Sequence, residues 1–390
     1  MPACYDKIFI SWRCGMNERK LRIFHTADIH LDTPFSRFDL RRGESRRNDL
    51  RATFTAMMLY VRRCGADLVL LPGDLFDDGC ATKATVELML REFANVKNCR
   101  FVIAPGNHDP YGPGSVYAAK KFPDNVFIFR TGKCERFEFP DLGADIYGWA
   151  FTSDTMRENP LADFIPEENG RTRLLCAHCD LTSPISKYCP VNEGDIVRAG
   201  FDYAALGHIH KRGTLQRRGN TLYGYSGAPE GRSFDECGEL GAFLVDIGYN
   251  GEAEYTFVPF SRRRYECDSC DLTGVQTHEE AEGRIAELVK RKHYANETIL
   301  RLELTGAVPP DFTPGSFPEI AARLFALELR DHTSPTYDGE ILMRDITLRG
   351  ALYRTLLPEL NSADEEVRRT AADALRYGLT VLDGGVPGDL

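Results

Sequence analysis

The sequence predicts an α/β fold in which two β-sheets are stacked and flanked by helices. Between about residues 21 and 262, short apolar runs alternate with turns that carry Asp, Asn or His. Helical patterns separate the first three of these runs, which is typical of parallel β-α units. The runs after Gly207 follow one another without obvious helices. Parallel units followed by a strand-rich half predict two sheets rather than one.

The composition is that of an ordinary globular protein and excludes several other classes. The chain has 390 residues, of which 43% are hydrophobic and 27% charged, so it can form one large domain and one or two small ones. No apolar run approaches the roughly 20 residues that span a bilayer. The N-terminal segment also lacks the apolar centre of a secretory signal. We therefore expect a cytoplasmic protein without a membrane segment, in which residues 1–20 are a flexible extension.

The twelve cysteines do not indicate a disulfide framework. Several of them, such as Cys99, Cys176 and Cys179, lie inside apolar strand-like runs, where a reduced thiol behaves as a small hydrophobic side chain. Cys267 and Cys270 form one CxxC, but a zinc site needs a second pair of ligands, and none follows at a useful spacing. We expect this pair to be structural, with metal binding or redox activity as the less favoured alternative.

The charge balance argues against a surface that is basic throughout. The net charge is −10, whereas domains that bind nucleic acid are usually basic. The cationic residues are nevertheless clustered in residues 41–51, 211–218 and 262–264. Each cluster is either a solvated surface or a local face for a phosphate backbone, and the sequence leaves both alternatives open.

After about residue 262 the pattern changes and predicts smaller units. Residues 263–345 hold strand-like runs on both sides of a helix that opens with a capping box, Thr277 with Glu280. This order indicates a small α+β domain. Residues 346–390 hold helical patterns, and the apolar face of the last helix consists of Val367, Ala371, Ala374, Leu375 and Leu379. That face either packs on its own domain or binds a partner.

Side chains that can hold metal ions stand at the ends of five of the apolar runs. They are Asp28, His30, Asp74, Asp77, Asn107, His108, Asp109, His178, His208 and His210. Because α/β sheets place their sites at the carboxyl ends of strands, we expect these residues to meet at one edge. Asp, His and Asn ligands suit Mn²⁺, Fe²⁺ or Zn²⁺, and phosphoesterases use pairs of such ions about 3.5–4 Å apart. Asp109 either supports the site or forms a turn before Pro110.

The order DIH, GDLFD, GNHD, a single H and GHIH resembles the signature of the calcineurin-like metallophosphoesterases over roughly residues 21–262. Within that family the sequence is most similar to the SbcD-type DNA repair exonucleases, in particular to a YhaO-like bacterial branch. The stretches FHTADIHLDTPF, GYSGAPEGRSFDECGELGAFLVDI and ALRYGLTVL carry the narrower match. The resemblance implies a four-layer αββα sandwich as the nuclease core. It further implies that residues 263–345 cap DNA and that residues 346–390 dock a coiled-coil, SMC-like ATPase.

The resemblance also implies roles for the residues at the strand ends. One metal is held by Asp28, His30 and His210, the other by Asn107, His178 and His208, and Asp74 bridges them. His108 corresponds to the catalytic histidine beside the scissile phosphate, and Asp77 to the carboxylate that orients it. Archaeal and eukaryotic double-strand-break nucleases have histidine at the position of Asp77, so the aspartate agrees with the bacterial relatives. Two divalent ions are expected, with Mn²⁺ favoured over Fe²⁺ or Zn²⁺.

On these grounds we expect metal-dependent hydrolysis of DNA phosphodiesters, by an exonuclease or endonuclease of DNA repair or recombination. An alternative is a phosphoesterase for a small nucleotide or a phosphomonoester, because many chemistries share this fold. A third is a metal-bearing scaffold that holds the ATPase and has lost its activity. The roughly 130 residues beyond the core favour a large substrate. Metal identity, cleavage polarity and homodimerisation are left open.

Overall fold

The structure is a computed structural model that describes residues 20–382, except residues 78, 249–250, 310–311 and 313. The chain forms two compact units, one ending at Arg264 and the other beginning at Tyr265. Apart from Lys20, the predicted extension at residues 1–20 lies outside the described residues. The roles that the sequence gives to the segments after residue 262 stay predictions.

The first unit carries most of the strands. They are β1 (Leu21–His25), β2 (Leu68–Leu71), β3 (Arg100–Ile103), β4 (Val126–Ile128), β5 (Glu135–Phe139), β6 (Ala144–Gly148), β7 (Thr172–His178), β8 (Tyr203–Gly207), β9 (Gln216–Arg218), β10 (Thr221–Tyr225), β11 (Gly241–Ile247) and β12 (Ala253–Pro259). Its helices are α1 (Leu40–Cys64), α2 (Lys83–Asn95), α3 (Val116–Ala119) and α4 (Glu193–Ala199).

These strands form two six-stranded sheets. The order in the first sheet is β12-β11-β1-β2-β3-β4, and in the second it is β5-β6-β7-β8-β10-β9. Strands β1 to β4 are parallel, as are β6, β7, β8 and β10, whereas β11, β12, β5 and β9 pair antiparallel at the edges. The loops after β1, β2 and β3 therefore leave the first sheet on one side, and those after β7 and β8 leave the second sheet together.

Three apolar cores order the layers. The middle core joins the facing sides of the two sheets and contains Val102 of β3 and Leu174 of β7. The outer side of the first sheet shares a core with α1 and α2 that includes Val69 and Met89. The outer side of the second sheet shares a third core with α4, through Ile196. The predicted αββα arrangement is confirmed, with the short helix α4 as a thin fourth layer.

The long helix α1 begins and ends where local chemistry dictates. The Asp39 side chain accepts a hydrogen bond from Arg42 N at the start, and Gly65 ends the helix in a left-handed conformation with a φ of 67°. Between these caps, Phe54, Met57 and Val61 place an apolar face on the first sheet. Within the described part of the chain, no helix combines the length and the apolar character that a membrane crossing requires.

The second unit is smaller and mixes strands with helices. Its strands are β13 (Arg264–Asp271), β14 (Thr298–Thr305), β15 (Ala307–Val308), β16 (Ala326–Asp331) and β17 (Ser334–Pro335), and its helices are α5 (His278–Arg291), α6 (Pro318–Ala321), α7 (Gly339–Arg344), α8 (Leu348–Leu360) and α9 (Glu365–Leu382). A three-stranded sheet has the order β13-β14-β16, and β15 pairs with β17. Thr277 accepts a hydrogen bond from Glu280 N at 3.2 Å, so the predicted start of α5 is confirmed.

The apolar face of α9 packs inside its own unit. Leu375 and Leu379 are 5% and 0% exposed and share a small core with Leu342 of α7 and with residues of α8. Ala371 is buried as well, whereas Val367 is 38% exposed. The prediction that this face binds a partner is therefore wrong for the three buried residues, because helices α7 and α8 already cover them. The apolar side chains that the helical segment does expose include Ile341, Met343, Ile346 and Leu348.

The CxxC pair lies on strand β13. Residues three apart on a strand point to opposite faces of the sheet. In agreement, Cys267 is exposed and Cys270 is buried in the core of the second unit. The two thiols cannot share a metal ion or a disulfide in this conformation, which favours the structural interpretation.

Candidate metal centre

The side chains predicted to hold metal gather where parallel strands end. Asp28 and His30 follow β1, Asp74 and Asp77 follow β2, Asn107 and His108 follow β3, His178 ends β7, and His208 and His210 follow β8. Four of them adopt a positive φ, namely 54° at Asp28, 47° at His30, 54° at Asp74 and 114° at His208. Such angles are rare for residues other than glycine and cluster at functional sites. The chain thus turns sharply at the residues that carry the chemistry.

Two glycines allow the strand-end loops to approach one another. A Cβ on Gly106 would overlap Asp74 Oδ1, and a Cβ on Gly207 would overlap the carbonyl oxygen of Pro72. Any larger residue at either position would therefore push apart the loops that follow β2, β3 and β8.

The first group of converging ligands consists of Asp28, His30, Asp74 and His210. One ligand atom from each of them lies within 4.8 Å of all the others. Nε2 of His30 and Nε2 of His210 are 3.2 Å apart, and His210 Nε2 is 3.9 Å from Asp28 Oδ1. Asp28, His30 and Asp74 are buried, so water does not separate these atoms.

The protons of the two facing imidazoles can be assigned from their second nitrogens. His30 Nδ1 lies 2.6 Å from Asp77 Oδ1, and His210 Nδ1 lies 2.8 Å from Glu236 Oε1. We assign the ring proton to Nδ1 in each case, because a carboxylate can only accept. The Arg232 guanidinium lies alongside, with Nη2 2.8 Å from His210 Nδ1 and 3.5 Å from Glu236 Oε1. The two Nε2 lone pairs then face each other, an arrangement that a cation between them stabilises.

The second group consists of Asn107, His178 and His208. His178 Nδ1 lies 3.0 Å from the Pro72 carbonyl oxygen, which fixes its proton there and turns the Nε2 lone pair towards Asn107 Oδ1 at 2.9 Å. Two acceptors thus face each other again. His208 lies next to this pair, with its ring centroid 5.2 Å from that of His178 and 5.0 Å from that of Tyr188.

Asp74 lies between the two groups. Its Oδ2 is 3.6 Å from His30 Nε2 and also 3.6 Å from His178 Nε2. Its Oδ1 accepts a hydrogen bond from His108 N at 2.9 Å, which fixes the carboxylate plane. Although burial favours the neutral acid, the positive ends of the surrounding imidazoles, first His178 and then His30, hold the pKa of Asp74 below its usual value.

Burial sets the protonation of the other ligands. It lowers the pKa of both His30 and His208 to about 4, so that each is a neutral ligand with a free lone pair at neutral pH. It also raises the pKa of Asp28 to about 6, because a buried carboxylate is costly without a cation. Neutral imidazoles with carboxylate and amide oxygens are the donor set of divalent ions such as Mn²⁺, Fe²⁺ and Zn²⁺. The residues present therefore fit divalent cations at this edge.

His108 stands beside the ligands with its side chain half-exposed. Its Nδ1 is 3.2 Å from Asp77 Oδ1, and this hydrogen bond raises the pKa of His108. Asp77 also accepts from His30 and from the Thr33 hydroxyl. The sequence predicts that Asp77 orients His108, and the geometry adds that the same carboxylate orients His30.

Asp109 organises the backbone of the site. Its carboxylate accepts hydrogen bonds from the backbone N–H groups of Asp74, Leu75, Phe76 and Gly106, at 2.7 to 3.3 Å, and from the Tyr117 hydroxyl. This buried network ties the loop after β2 to the loop after β3. Of the two alternatives that the sequence left open, the structure favours support of the site.

Glu236 and Arg232 were missed by reasoning from the sequence. Glu236 is 4% exposed and accepts a hydrogen bond from Arg232 N at 2.6 Å in addition to its contact with His210. It lies 26 residues after His210, in a stretch without histidine and without a characteristic spacing. Only the family resemblance of that stretch marked it, and no individual residue stood out.

The clustered arginines do not share one environment. Arg46 is fully buried and donates to Glu230 Oε1 at 2.8 Å, to Asp49 and to the Gly231 carbonyl oxygen, so it cannot face a phosphate backbone. The cations that are exposed in the three clusters are Arg41, Arg42, Lys211, Arg212, Arg217, Arg218, Arg262 and Arg264. Within the clusters, these are the side chains available for a nucleic acid.

Comparison with known proteins agrees with this architecture. Residues 21–212 match the family model described as calcineurin-like phosphoesterase. The "Uncharacterized metallophosphoesterase YhaO" of Bacillus subtilis is 26% identical over 373 residues, which cover 92% of this chain and 90% of that protein. The "DNA double-strand break repair protein Mre11" of Methanopyrus kandleri is 24% identical, and the match covers 91% of this chain and 82% of that protein. A nuclease subunit of the SbcCD complex from Staphylococcus epidermidis is also 24% identical, over 63% of this chain and 71% of its own length.

Proposed function

Residues 21–212 form a calcineurin-like phosphoesterase domain, and from that premise we propose that the protein is a nuclease that hydrolyses DNA phosphodiesters with two divalent metal ions. The convergence of imidazole lone pairs carries the proposal. Three histidines, His30, His178 and His210, each have Nδ1 bound to an acceptor, so their Nε2 atoms all point to the centre around Asp74. Chains that lack a cation partner do not bury such a group of facing acceptors.

The two groups of ligands define the proposed ion sites. One ion is assigned to Asp28, His30 and His210, the second to Asn107, His178 and His208, and Asp74 is shared. When bound, such ions activate a water molecule and neutralise phosphate oxygens. Mn²⁺ is the favoured ion, with Fe²⁺ and Zn²⁺ as alternatives, because the donor set mixes nitrogen and oxygen.

His108 is the residue that we assign to proton transfer. Its half-exposed ring lies next to the ligands, and its hydrogen bond to Asp77 favours the imidazolium. An imidazolium can donate a hydrogen bond to a phosphate oxygen or a proton to the leaving oxygen. Asp77 holds the ring in place, so that Nε2 faces the substrate.

DNA is the proposed substrate on two grounds. Two of the similar proteins are named as a DNA double-strand break repair protein and as part of a nuclease. In addition, the chain carries a second compact unit after Arg264, which a phosphoesterase for a small molecule does not need. The exposed cations of the first unit can bind phosphate groups of a long substrate.

We further propose that the second unit docks an ATPase of the coiled-coil, SMC-like type. The apolar side chains of Ile341, Met343, Ile346 and Leu348 are 66%, 46%, 97% and 72% exposed. Four such residues within eight positions form a surface of the kind that binds another protein. The docking surface is thus assigned to the end of α7 and the start of α8, not to the buried face of α9.

The function is tested by comparing substrates with purified protein and Mn²⁺. The panel contains single- and double-stranded DNA, bis-p-nitrophenyl phosphate and p-nitrophenyl phosphate, with Asp74→Asn as the inactive control. Metal-dependent cleavage of DNA that disappears in the control supports the proposal. Hydrolysis of the small esters alone would support the small-substrate alternative, and no hydrolysis of any substrate would leave the scaffold.

A further inference from the structure

A cavity of about 390 Å³ shares a wall with the proposed catalytic residues. His108 and Asp77 form that wall, and most of the remainder belongs to residues to which the metal centre gives no role. The residues that shape it most are Phe76, Pro110, Gly112, Pro113, Val116 and Tyr117. Its volume lies within the range of cavities that hold small organic groups. A substrate bound at the metal centre therefore has a sheltered space beside it, one residue away.

The lining of this cavity favours a flat, uncharged group. Among the described residues that line it, none is Lys or Arg, and its two carboxylates are Asp77 and Asp109. A phosphate would be repelled there, whereas an aromatic ring can pack on the apolar side chains. The hydroxyl groups of Ser115 and Thr152 also line the cavity and can bond to polar edges of such a ring.

The floor of the cavity is rigid before any ligand arrives. The Tyr117 hydroxyl donates to the buried Asp109 carboxylate, and its ring stacks on Phe122 with 6.0 Å between centroids. Phe76 lies on its other side, at 6.5 Å. Ser115 Oγ donates to the Gly112 carbonyl oxygen at 2.8 Å and accepts from Gly112 N at 3.2 Å, which closes the loop above the floor. A preformed cavity binds a ring without an ordering cost.

We propose that this cavity receives the nucleobase on the leaving-group side of the scissile phosphate. The inference rests on the proposed nuclease function and extends it to the state of the DNA. His108 is the shared element, because it faces the leaving oxygen on one side and lines the cavity on the other. A base enclosed in this way cannot be paired, so the enzyme acts on unpaired nucleotides or on ends that open.

Gly112 is the position at which the cavity can be filled without disturbing the fold. A Cβ added there meets no atom within 4 Å, and the residue does not adopt a positive φ. Gly112→Phe should block the cavity, and Gly112→Ala serves as the matched control that leaves it open. Thermal unfolding and bound Mn²⁺ are measured for both variants to establish that fold and metal centre are retained.

The test is a double comparison of protein variant and DNA substrate. A single-stranded oligonucleotide is compared with one that carries an abasic site on the leaving-group side, and with one that carries it on the opposite side. Base stacking on aromatic side chains contributes about 1–3 kcal/mol. In the wild type, the abasic site on the leaving-group side should therefore lower kcat/KM by about 10-fold or more.

Gly112→Phe should show a similar loss on normal DNA and no further loss on that abasic DNA, because both changes remove the same contact. Gly112→Ala should behave as the wild type. Equal cleavage of normal DNA by the wild type and Gly112→Phe would overturn the inference, as would independent effects of the two changes. Failure of the wild type to cleave any DNA would instead refute the proposed function.

Discussion

The two compact units place charge and apolar surface in opposite ways. The first unit buries Asp28, His30 and Asp74 almost completely at the ends of its strands. Among the described residues of the second unit, the buried polar side chains are only those of Thr298 and Thr333, and none is charged. The second unit instead leaves Ile346 97% exposed. Both arrangements oppose stability in isolation, since a buried charge loses its hydration and an exposed apolar side chain remains in water.

This contrast indicates where each unit depends on something outside itself. Buried carboxylates and facing imidazoles are stabilised by cations, so the first unit is completed by metal ions. An exposed apolar surface is stabilised by another macromolecule, so the second unit is completed by a partner. If this comparison holds, substitutions that remove charge should affect chemistry in the first unit, and apolar substitutions should affect packing or docking in the second.

The largest effect is expected from Asp74→Asn. The amide would replace a carboxylate whose Oδ2 is equally distant from the two groups of ligands. We expect the bound Mn²⁺ to fall well below two ions per chain and hydrolysis of DNA and of bis-p-nitrophenyl phosphate to fall to background. Elemental analysis and kinetics are the measurements. Two tightly bound ions with unchanged turnover would mean that the shared ligand lies elsewhere.

His108→Ala should separate catalysis from metal binding. The side chain lies outside the converging ligand pairs and contacts Asp77, so the ions should remain. Loss of acid–base help should lower kcat by about 10²–10⁴-fold. The exposed His332 of the second unit supplies the control, because His332→Ala removes an imidazole far along the chain and should change nothing. Near-normal turnover of His108→Ala would remove the role assigned to it.

Glu236→Gln should weaken metal binding through His210. The substitution removes the charge that holds His210 Nδ1 at 2.8 Å and keeps the shape of the side chain. Changes of this kind typically lower metal affinity or activity by about 10–100-fold. Titration with Mn²⁺ should show the loss, and excess Mn²⁺ should restore activity. Glu239→Gln, which alters a half-exposed pair with Arg264, is the matched control. Unchanged affinity in Glu236→Gln would contradict the positioning role.

The second unit should respond to apolar changes and leave the chemistry intact. Leu379→Ala removes a fully buried side chain and should destabilise the helical segment by about 2–5 kcal/mol. Ile346→Ser, at an exposed position, should change stability by no more than about 0.5 kcal/mol but should abolish copurification with the ATPase. Denaturant unfolding, pull-down and diester hydrolysis are measured together. A loss of hydrolysis in either variant would break the comparison between the units.

The metal centre could be predicted from the sequence because strand ends are a local signal. Asp28, Asp74, Asn107 and His178 each follow an apolar run, and parallel strands bring such positions together. The left-handed turns at these residues were not predictable, since nothing in the sequence marks a non-glycine residue for a positive φ. Glu236 was missed because its contact with His210 depends on the path of a loop, which no periodicity encodes.

The fold was predicted in its layers but not in its details. Alternation of strands and helices fixes the parallel part of the first sheet, whereas the position of β11 between β1 and β12 depends on long-range pairing. The apolar face of α9 was visible in the sequence, but the sequence could not tell what covers it. That answer required Leu342 of α7, which precedes the helix by more than twenty residues. Arg46 was misjudged for the same reason, because its partner Glu230 is 184 residues away.

The pairing of distant ligands has a consequence for biosynthesis. His30 and His210, whose Nε2 atoms face each other, are separated by 180 residues, and β1 also pairs with the later strand β11. At a translation rate of about 5–20 residues per second, roughly 10–40 s pass between the synthesis of the two histidines. During that time the first ligands are already made but their site is incomplete. Metal loading is therefore a late event on the ribosome, and the nascent chain carries unsatisfied carboxylates until the second sheet is in place.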